Sequence, residues 1–121
     1  VDVIGDVADI RSAYLAAPIF AAPMLVNTGL QNKLLEAMAL ERACLTTSRA
    51  LGALGCDVGD AVATANDADA FATQIASLSQ DEERRRLMGR KAHELVQKKF
   101  TWQAASHPLV ALLQNQARSI R

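Results

Sequence analysis

The strongest fold signal in the chain is the stretch PIFAAPMLVNTGLQNKLLEAMALERACLTT, residues 18–47. Its first part, residues 18–23, is an apolar run with proline at both ends, which predicts a short strand buried on both faces. Residues 30–40 repeat apolar side chains on one side of a helix and polar ones on the other, which predicts an amphipathic helix. Residues 43–47 are apolar and then β-branched, which predicts another strand.

Signals before and after this stretch extend the alternation of strands and helices. Residues 1–4 are a short run that is apolar except for Asp2, which predicts a strand, and residues 7–16 have helical spacing with Asp6 as the expected N-cap. Residues 48–59 contain three glycines and predict a loop, and residues 61–65 predict a further strand.

The C-terminal part of the chain has the features of helices. Residues 70–78 repeat apolar side chains after capping residues, and residues 81–99 begin with acidic and end with basic residues, as the helix dipole favours. Thr101 can cap a last helix, which Pro108 should kink or delay. We therefore predict an α/β fold, a Rossmann-like three-layer domain with a short parallel sheet of roughly three or four strands and C-terminal helices.

Composition limits the size of the fold and the kinds of partner. The chain has 121 residues, which suits one domain, and 50% of them are apolar, as in folded globular proteins. Its 13 basic residues balance 13 acidic ones, and only 4% of the residues are aromatic. Because there is neither a net positive field nor a stacking surface for bases, we expect no nucleic acid partner.

Several features favour a cytoplasmic protein. The longest apolar stretches are shorter than the roughly 20 residues of a membrane helix. The chain starts at Val1 without a basic segment or a long apolar one, so we expect no signal peptide and interpret the start as a cut in a longer protein. Cys44 and Cys56 lack the spacing of a metal site, and we expect two reduced thiols.

The loop at residues 24–29 is the first candidate for ligand binding, because open α/β sheets bind ligands beyond the carboxyl ends of their strands. Gly29 lets the backbone approach a ligand closely, and the following helix presents free N–H groups to a phosphate. Lys33 can neutralise a phosphate, and Glu36, on the same helix stripe, can accept hydrogen bonds from two adjacent hydroxyl groups of a ribose. A plain surface ion pair between Lys33 and Glu36 is the alternative.

Sequence motifs in this region resemble those of a known family. The run GLQNKLLEAMA, residues 29–39, followed by ACLTT, residues 43–47, resembles the signature of retaining GT-B glycosyltransferases that use nucleoside diphosphate sugars. In that family the glutamate of the motif holds the ribose of the nucleotide, and Glu36 matches its position. The resemblance extends to VIG at residues 3–5, DAFA at residues 69–72 and FTW at residues 100–102.

The resemblance implies the C-terminal, donor-binding domain of a group 1 glycosyltransferase of the type found in exopolysaccharide synthesis, with residues 1–121 as one partial domain. The donor would be a nucleoside diphosphate sugar, and neither a cofactor nor a metal ion is expected. The complete protein would transfer the sugar to a hydroxyl acceptor in the cytoplasm, and peripheral association with a membrane stays open. No residue is assigned a catalytic role. The residues expected to contact the donor are Thr28, Gly29, Leu30, Gln31, Lys33 and Glu36.

Three departures from the family pattern matter. Thr28 stands where many relatives have a second glutamate that contacts the donor sugar, and Glu41 stands where the family has glycine after the helix. The N-terminal acceptor-binding domain and the first part of the donor domain are missing, so we expect the chain alone to be inactive. We also expect self-association into a homo-oligomer through strand edges and apolar surface that the missing residues would cover.

Other candidate residues favour structural roles. His93 and His107 lack the partners of a catalytic arrangement, and the basic cluster at residues 84–86 follows acidic residues on the same helix, as on a solvated face. Residues 50–54 are a second candidate segment, because the resemblance places this loop beside the nucleotide base. Two alternative functions stay open: a non-catalytic module of the same fold that binds a nucleotide or a protein, and a nucleotide-sugar 2-epimerase.

Overall fold

A three-stranded parallel sheet forms the centre of the computed structural model, which describes residues 1–26 and 29–120. The strands are β1 (Ile19–Ala22), β2 (Ala43–Thr46) and β3 (Val62–Thr64), in the order β1-β2-β3. In this sheet Ile19 pairs with Ala43. The central strand, β2, is buried along its whole length, which accounts for its continuous run of small and apolar residues.

Helices connect and flank the strands. In the described part of the chain they are α1 (Ile10–Leu15), α2 (Asn32–Ala39), α3 (Ser48–Gly52), α4 (Ala68–Gln80), α5 (Glu82–Lys99) and α6 (Trp102–Ser119), with a 3-10 turn at Gly59–Ala61. All except α2 begin at a residue whose side chain accepts a hydrogen bond from the first helical turn, namely Asp9, Thr47, Asp67, Asp81 and Thr101. Each such cap satisfies an otherwise unpaired N–H group and contributes about 1 kcal/mol.

The main hydrophobic core lies between the sheet and the helices α2 and α5. Leu34 and Met38 of α2 pack with Ala92 of α5 and with Cys44 and Val62 of the sheet. Leu34 and Met38 are four residues apart, so they share one face of α2, as the amphipathic pattern predicts. This packing turns the opposite, polar face of α2 towards solvent.

The turn after α2 is a Schellman motif, in which backbone N–H groups return to the last helical turn. The Arg42 N–H donates to the Ala37 carbonyl oxygen at 3.0 Å, and the Glu41 N–H donates to the Met38 carbonyl oxygen at 3.1 Å. Glu41 has φ +57°, a left-handed conformation that favours glycine. Gly89 of α5 lies against this turn, where a Cβ atom would overlap the Glu41 carbonyl group. The turn thus forms without its preferred glycine, as expected.

The N-terminal segment differs from the prediction. Residues 1–4 form no strand, and their apolar side chains are exposed outside the three-stranded sheet. A strand needs a neighbour that pairs with its backbone groups, and apolar sequence alone does not supply one. The helix expected at residues 7–16 is the shorter α1, and Asp9 rather than Asp6 caps it, because the Arg11 N–H donates to Asp9 Oδ1 at 3.0 Å.

The remaining predictions for the fold are largely confirmed. The elements predicted at residues 61–65, 70–78 and 81–99 are present as β3, α4 and α5. The loop predicted at residues 48–59 is wrong in part, because Thr47 caps the short helix α3. Helix α6 runs through Pro108, so the proline does not delay its start. The Rossmann-like α/β fold with a short parallel sheet is confirmed.

Helix α6 is exposed along most of its length. Trp102 is 89% exposed and Leu113 is 60% exposed. Large exposed apolar patches mark interaction sites in many proteins, and the expected self-association stays a prediction. None of the helices in the described residues combines the length and the apolar character needed to cross a membrane.

Candidate functional site

Hydrogen bonds hold the loop after β1 against the end of β2. The Thr46 hydroxyl group donates to the Ala22 carbonyl oxygen, and the Thr47 hydroxyl group donates to the Met24 carbonyl oxygen, each at 2.8 Å. Both threonines are buried, so a loss of either bond would leave a buried polar group unpaired. The start of the loop expected to bind a ligand is therefore fixed by two side chains of the neighbouring strand end.

Asn66 joins the end of β3 to the same edge of the sheet. Its side chain accepts a hydrogen bond from the Ser48 N–H and donates one to the Ser48 hydroxyl group, both at 3.0 Å. The Ala65 N–H donates to the Thr46 carbonyl oxygen at 3.0 Å. The carboxyl ends of all three strands therefore form one connected edge, which is where open α/β sheets bind ligands.

The N-terminus of α2 follows this edge. Its N-cap residue, Gln31, makes no side-chain hydrogen bond to the helix, and Gln31 Nε2 donates to the Gly29 carbonyl oxygen at 3.3 Å. Gly29 is exposed and has φ +136°, which only glycine adopts readily. The N-cap side chain therefore does not pair with the N–H groups of the first helical turn, which lie at the positive end of the helix dipole. Both features favour an anionic ligand at this helix start.

Glu36 lies in the second turn of α2 and is exposed. Its Oε2 atom accepts a hydrogen bond from the Tyr14 hydroxyl group at 2.7 Å. The Tyr14 ring packs against Phe20 of β1, with ring centroids 5.6 Å apart and planes at 52°. Burial, and next the hydrogen bond to Glu36, raise the pKa of Tyr14 to about 12. The Tyr14 hydroxyl group is therefore protonated at neutral pH and acts as a donor to the Glu36 carboxylate.

Lys33 is exposed on the first turn of α2. Within the described residues it makes no ion pair with Glu36, so the plain surface pair is not formed. The carboxylate of Glu36 instead contacts Tyr14.

A groove of about 440 Å³ lies beside the start of α2. This volume is within the range of roughly 300–1,000 Å³ found for small-molecule sites. The groove brings residues of the C-terminal part of the chain next to the loop and α2. Its lining residues are Leu30, Asn32, Leu35, Lys99, Phe100, Thr101, Trp102 and Ala105.

A comparison with protein-family models identifies the family. The model described as Glycosyl transferases group 1 matches residues 1–81 of the 121 residues. The chain belongs to the group 1 glycosyl transferases. The matched part of this glycosyl transferase contains the three strands and α1 to α4, whereas α5 and α6 lie beyond it. No curated protein matches the chain.

In the structure of this glycosyl transferase, five of the six predicted donor contacts lie together on the loop and the start of α2. All five are at least partly exposed, namely Gly29, Leu30, Gln31, Lys33 and Glu36. The sixth, Thr28, lies outside the described residues. Their contact with a donor stays a prediction. All six positions lie within the residues matched by the family model.

Tyr14 is the residue of the site that the sequence analysis missed. It lies 22 positions before Glu36, and its helical spacing indicates only an ordinary packing residue. Phe100 and Trp102 of the groove belong to the motif FTW that resembles the family, but nothing in the sequence indicates that they lie beside α2. Contacts between segments so far apart in sequence form only when the sheet and its helices assemble.

The second candidate segment of the glycosyl transferase, residues 50–54, is partly unsuited to ligand binding. Ala50 is 0% exposed and Leu54 is 6% exposed, and Leu54 belongs to the main core. Both side chains are held in the interior, so they cannot contact a nucleotide base.

His93 and the basic cluster at residues 84–86 have structural contacts, as their sequence context predicted. The Nδ1 atom of His93 lies 2.8 Å from the Ala39 carbonyl oxygen at the end of α2. Arg85 donates to a backbone carbonyl oxygen near the end of α4 at 2.9 Å, and Arg86 forms an ion pair with Glu82 at 2.7 Å. These side chains join helices or lie on a solvated face.

The Cys44 thiol of the glycosyl transferase has no features of a reactive centre. Cys44 and Cys56 are free thiols, and burial raises the pKa of Cys44 to about 12. A thiol with such a pKa is almost fully protonated at neutral pH and is a poor nucleophile. Among the residues that the structure describes, no group of three or more His, Cys, Asp or Glu side chains is arranged to hold a metal ion.

Proposed function

We propose that this group 1 glycosyl transferase binds a nucleoside diphosphate sugar, the donor of the transferred sugar, at the loop after β1 and along α2. The observation that carries the proposal is the exposed carboxylate of Glu36 in the second turn of a helix whose N-terminus follows Gly29. The complete enzyme would transfer the sugar to a hydroxyl acceptor in glycan synthesis, with exopolysaccharide as the proposed product class.

The phosphates are assigned to the start of α2. Gly29 has no Cβ to hinder a ligand, and in the described part of the chain nothing beyond its chain neighbours lies within 4 Å of the position that a Cβ would take. The N–H groups and the dipole of the helix favour negative charge, and Lys33 adds an ammonium group on the first turn. During transfer the bond between the sugar and the diphosphate breaks, and the leaving diphosphate gains negative charge. Groups that bind this charge stabilise the transition state.

The ribose is assigned to Glu36. Glu36 lies four positions after Asn32 at the start of α2, which corresponds to about 6 Å along the helix axis. A carboxylate at this position can accept hydrogen bonds from the two adjacent hydroxyl groups of a ribose whose phosphates lie at the helix start. This arrangement supports a ribonucleotide rather than a deoxyribonucleotide donor.

Transfer also needs an acceptor site, and we assign only the donor half of the reaction to this chain. On this proposal its 121 residues bind the donor without transferring the sugar. An assay of the complete protein with radiolabelled donor sugars, in which transferred, epimerised and unreacted sugars are separated, distinguishes a transferase from a 2-epimerase and from a non-catalytic binding module.

The direct test compares donor binding by the chain and by a Glu36→Gln variant. Calorimetry with uridine, guanosine and adenosine diphosphates identifies the best ligand of the unmodified chain. Loss of a charge-assisted hydrogen bond should weaken that ligand roughly tenfold to a hundredfold. The matched control is Glu94→Gln, which neutralises an exposed carboxylate on α5 and should leave binding unchanged. Equal affinities of the Glu36→Gln variant and the unmodified chain would remove Glu36 from the site.

A further inference from the structure

One oxygen atom of the Glu36 carboxylate is already engaged. Oε2 accepts the hydrogen bond from the Tyr14 hydroxyl group at 2.7 Å, a distance within the usual range for an O–H donor and a charged acceptor. Within the described residues, Oε1 has no hydrogen-bond partner. A carboxylate offers about four lone-pair positions, so acceptor positions remain for a ligand after Tyr14 has taken one.

Tyr14 is itself held in place from the other side. Its ring packs against Phe20, a residue of β1. The helix that carries Tyr14 begins at Asp9, whose side chain caps it. Tyr14 therefore links the Glu36 carboxylate to the sheet through Phe20, although Glu36 itself lies on the exposed face of α2.

We infer that Tyr14 is a positioning residue for donor binding, which orients the Glu36 carboxylate so that its free oxygen faces the ribose hydroxyl groups of a nucleoside diphosphate. This inference rests on the proposed function, because it assigns to Tyr14 a role towards the ligand that Glu36 is proposed to hold. An exposed glutamate without such an anchor samples several rotamers, and ordering it on binding costs side-chain entropy. A carboxylate that is ordered before the ligand arrives avoids part of that loss.

The variant Tyr14→Phe tests the inference, because it keeps the ring against Phe20 and removes only the hydroxyl group. Affinity is measured by calorimetry for the diphosphate that the chain binds best and for its 2′-deoxy analogue. Tyr14→Phe should weaken the ribonucleotide about fivefold to tenfold and should change the affinity for the 2′-deoxy analogue much less. In a Glu36→Gln background, Tyr14→Phe should cause no further loss.

A purely structural role for Tyr14 predicts a different result. If the hydroxyl group only ties α1 to α2, then Tyr14→Phe lowers the affinity for both analogues by the same factor or lowers the melting temperature without changing affinity. Thermal unfolding of each variant separates these cases. As a second readout, the carboxyl carbon resonance of Glu36 in an NMR spectrum should shift in Tyr14→Phe before ligand is added, and an unchanged resonance counts against the inference.

The outcomes separate this inference from the proposed function. A loss of affinity in Glu36→Gln with none in Tyr14→Phe overturns the role of Tyr14 and leaves the proposed function standing. Equal affinity of Glu36→Gln and the unmodified chain overturns the proposed function, and the role of Tyr14 falls with it. If the unmodified chain binds none of the diphosphates tested, the proposed function and the role of Tyr14 are both overturned.

Discussion

Replacement of Glu41 by glycine should stabilise the chain. Glu41 adopts φ +57° in the Schellman turn after α2, and for a residue with a Cβ atom this left-handed conformation costs roughly 1–2 kcal/mol. Glycine has no such cost in the folded state, but it gains freedom in the unfolded chain, which offsets roughly 0.5–1 kcal/mol. The difference predicts that Glu41→Gly raises the free energy of unfolding by about 0.5–1 kcal/mol.

Thermal and urea unfolding followed by circular dichroism measure this gain. For a domain of this size it corresponds to a rise in melting temperature of about 2–6 °C. The urea midpoint should rise while the slope of the transition stays the same, because the surface exposed on unfolding is unchanged. The two hydrogen bonds of the turn, from Glu41 and Arg42, should persist in the variant.

The matched control for this prediction is Glu41→Ala, which removes the carboxylate but keeps the Cβ atom. The control is needed because Glu41 lines a shallow depression together with Glu82, Arg85 and Arg86, so that loss of its charge has an effect of its own. We expect Glu41→Ala to change the free energy of unfolding by less than about 0.5 kcal/mol, as for exposed positions in general. Equal gains in the alanine and glycine variants, or a loss in the glycine variant, would refute the backbone explanation.

Two further predictions concern α5 and Tyr14. Gly89→Ala should lower the free energy of unfolding by about 1–3 kcal/mol in urea titrations, because the added Cβ atom overlaps the Glu41 carbonyl group. The control is Gly52→Ala, where an added Cβ atom meets no described atom within 4 Å, and it should not destabilise the chain. Ultraviolet titration should give Tyr14, the one tyrosine in the chain, a pKa of about 12 instead of the ordinary 10.0. Because the folded-state pKa is the higher one, the stability that Tyr14 contributes is present below pH 10 and is lost as the pH rises towards 12. Ionisation near pH 10 in the folded chain would contradict the burial of Tyr14 and, with it, the hydrogen bond to Glu36.

The central strands and helices could be predicted because their signals are local. The proline-bounded run became β1, and the spacing of Leu34 and Met38 defined the buried face of α2. The helix cap at Thr101 could also be predicted, since a cap needs only the residues of its own first turn. The same periodicity predicts that Glu36 lies on the exposed face of α2, and it needs no contact with another element.

Other elements could not be predicted, because their structure depends on distant partners. Residues 1–4 have the composition of a strand, but they pair with no strand of the sheet in the described residues. The helix capped by Asp9 is shorter than its apolar spacing indicated. Apolar spacing records which residues favour burial and does not record whether a partner is present to bury them.

The amino-acid sequence alone determined the β-α-β order, the buried face of α2 and the family to which the motif around Glu36 is similar, because each depends on residues only a few positions apart. The tertiary structure decided the hydrogen bond from Tyr14 to Glu36, the groove that joins Trp102 to the start of α2, and the contact of Gly89 with the turn at Glu41. Each of these contacts joins segments that are far apart in the chain. Their geometry is set only when the sheet and its helices pack, since no local preference specifies which distant side chain a residue meets.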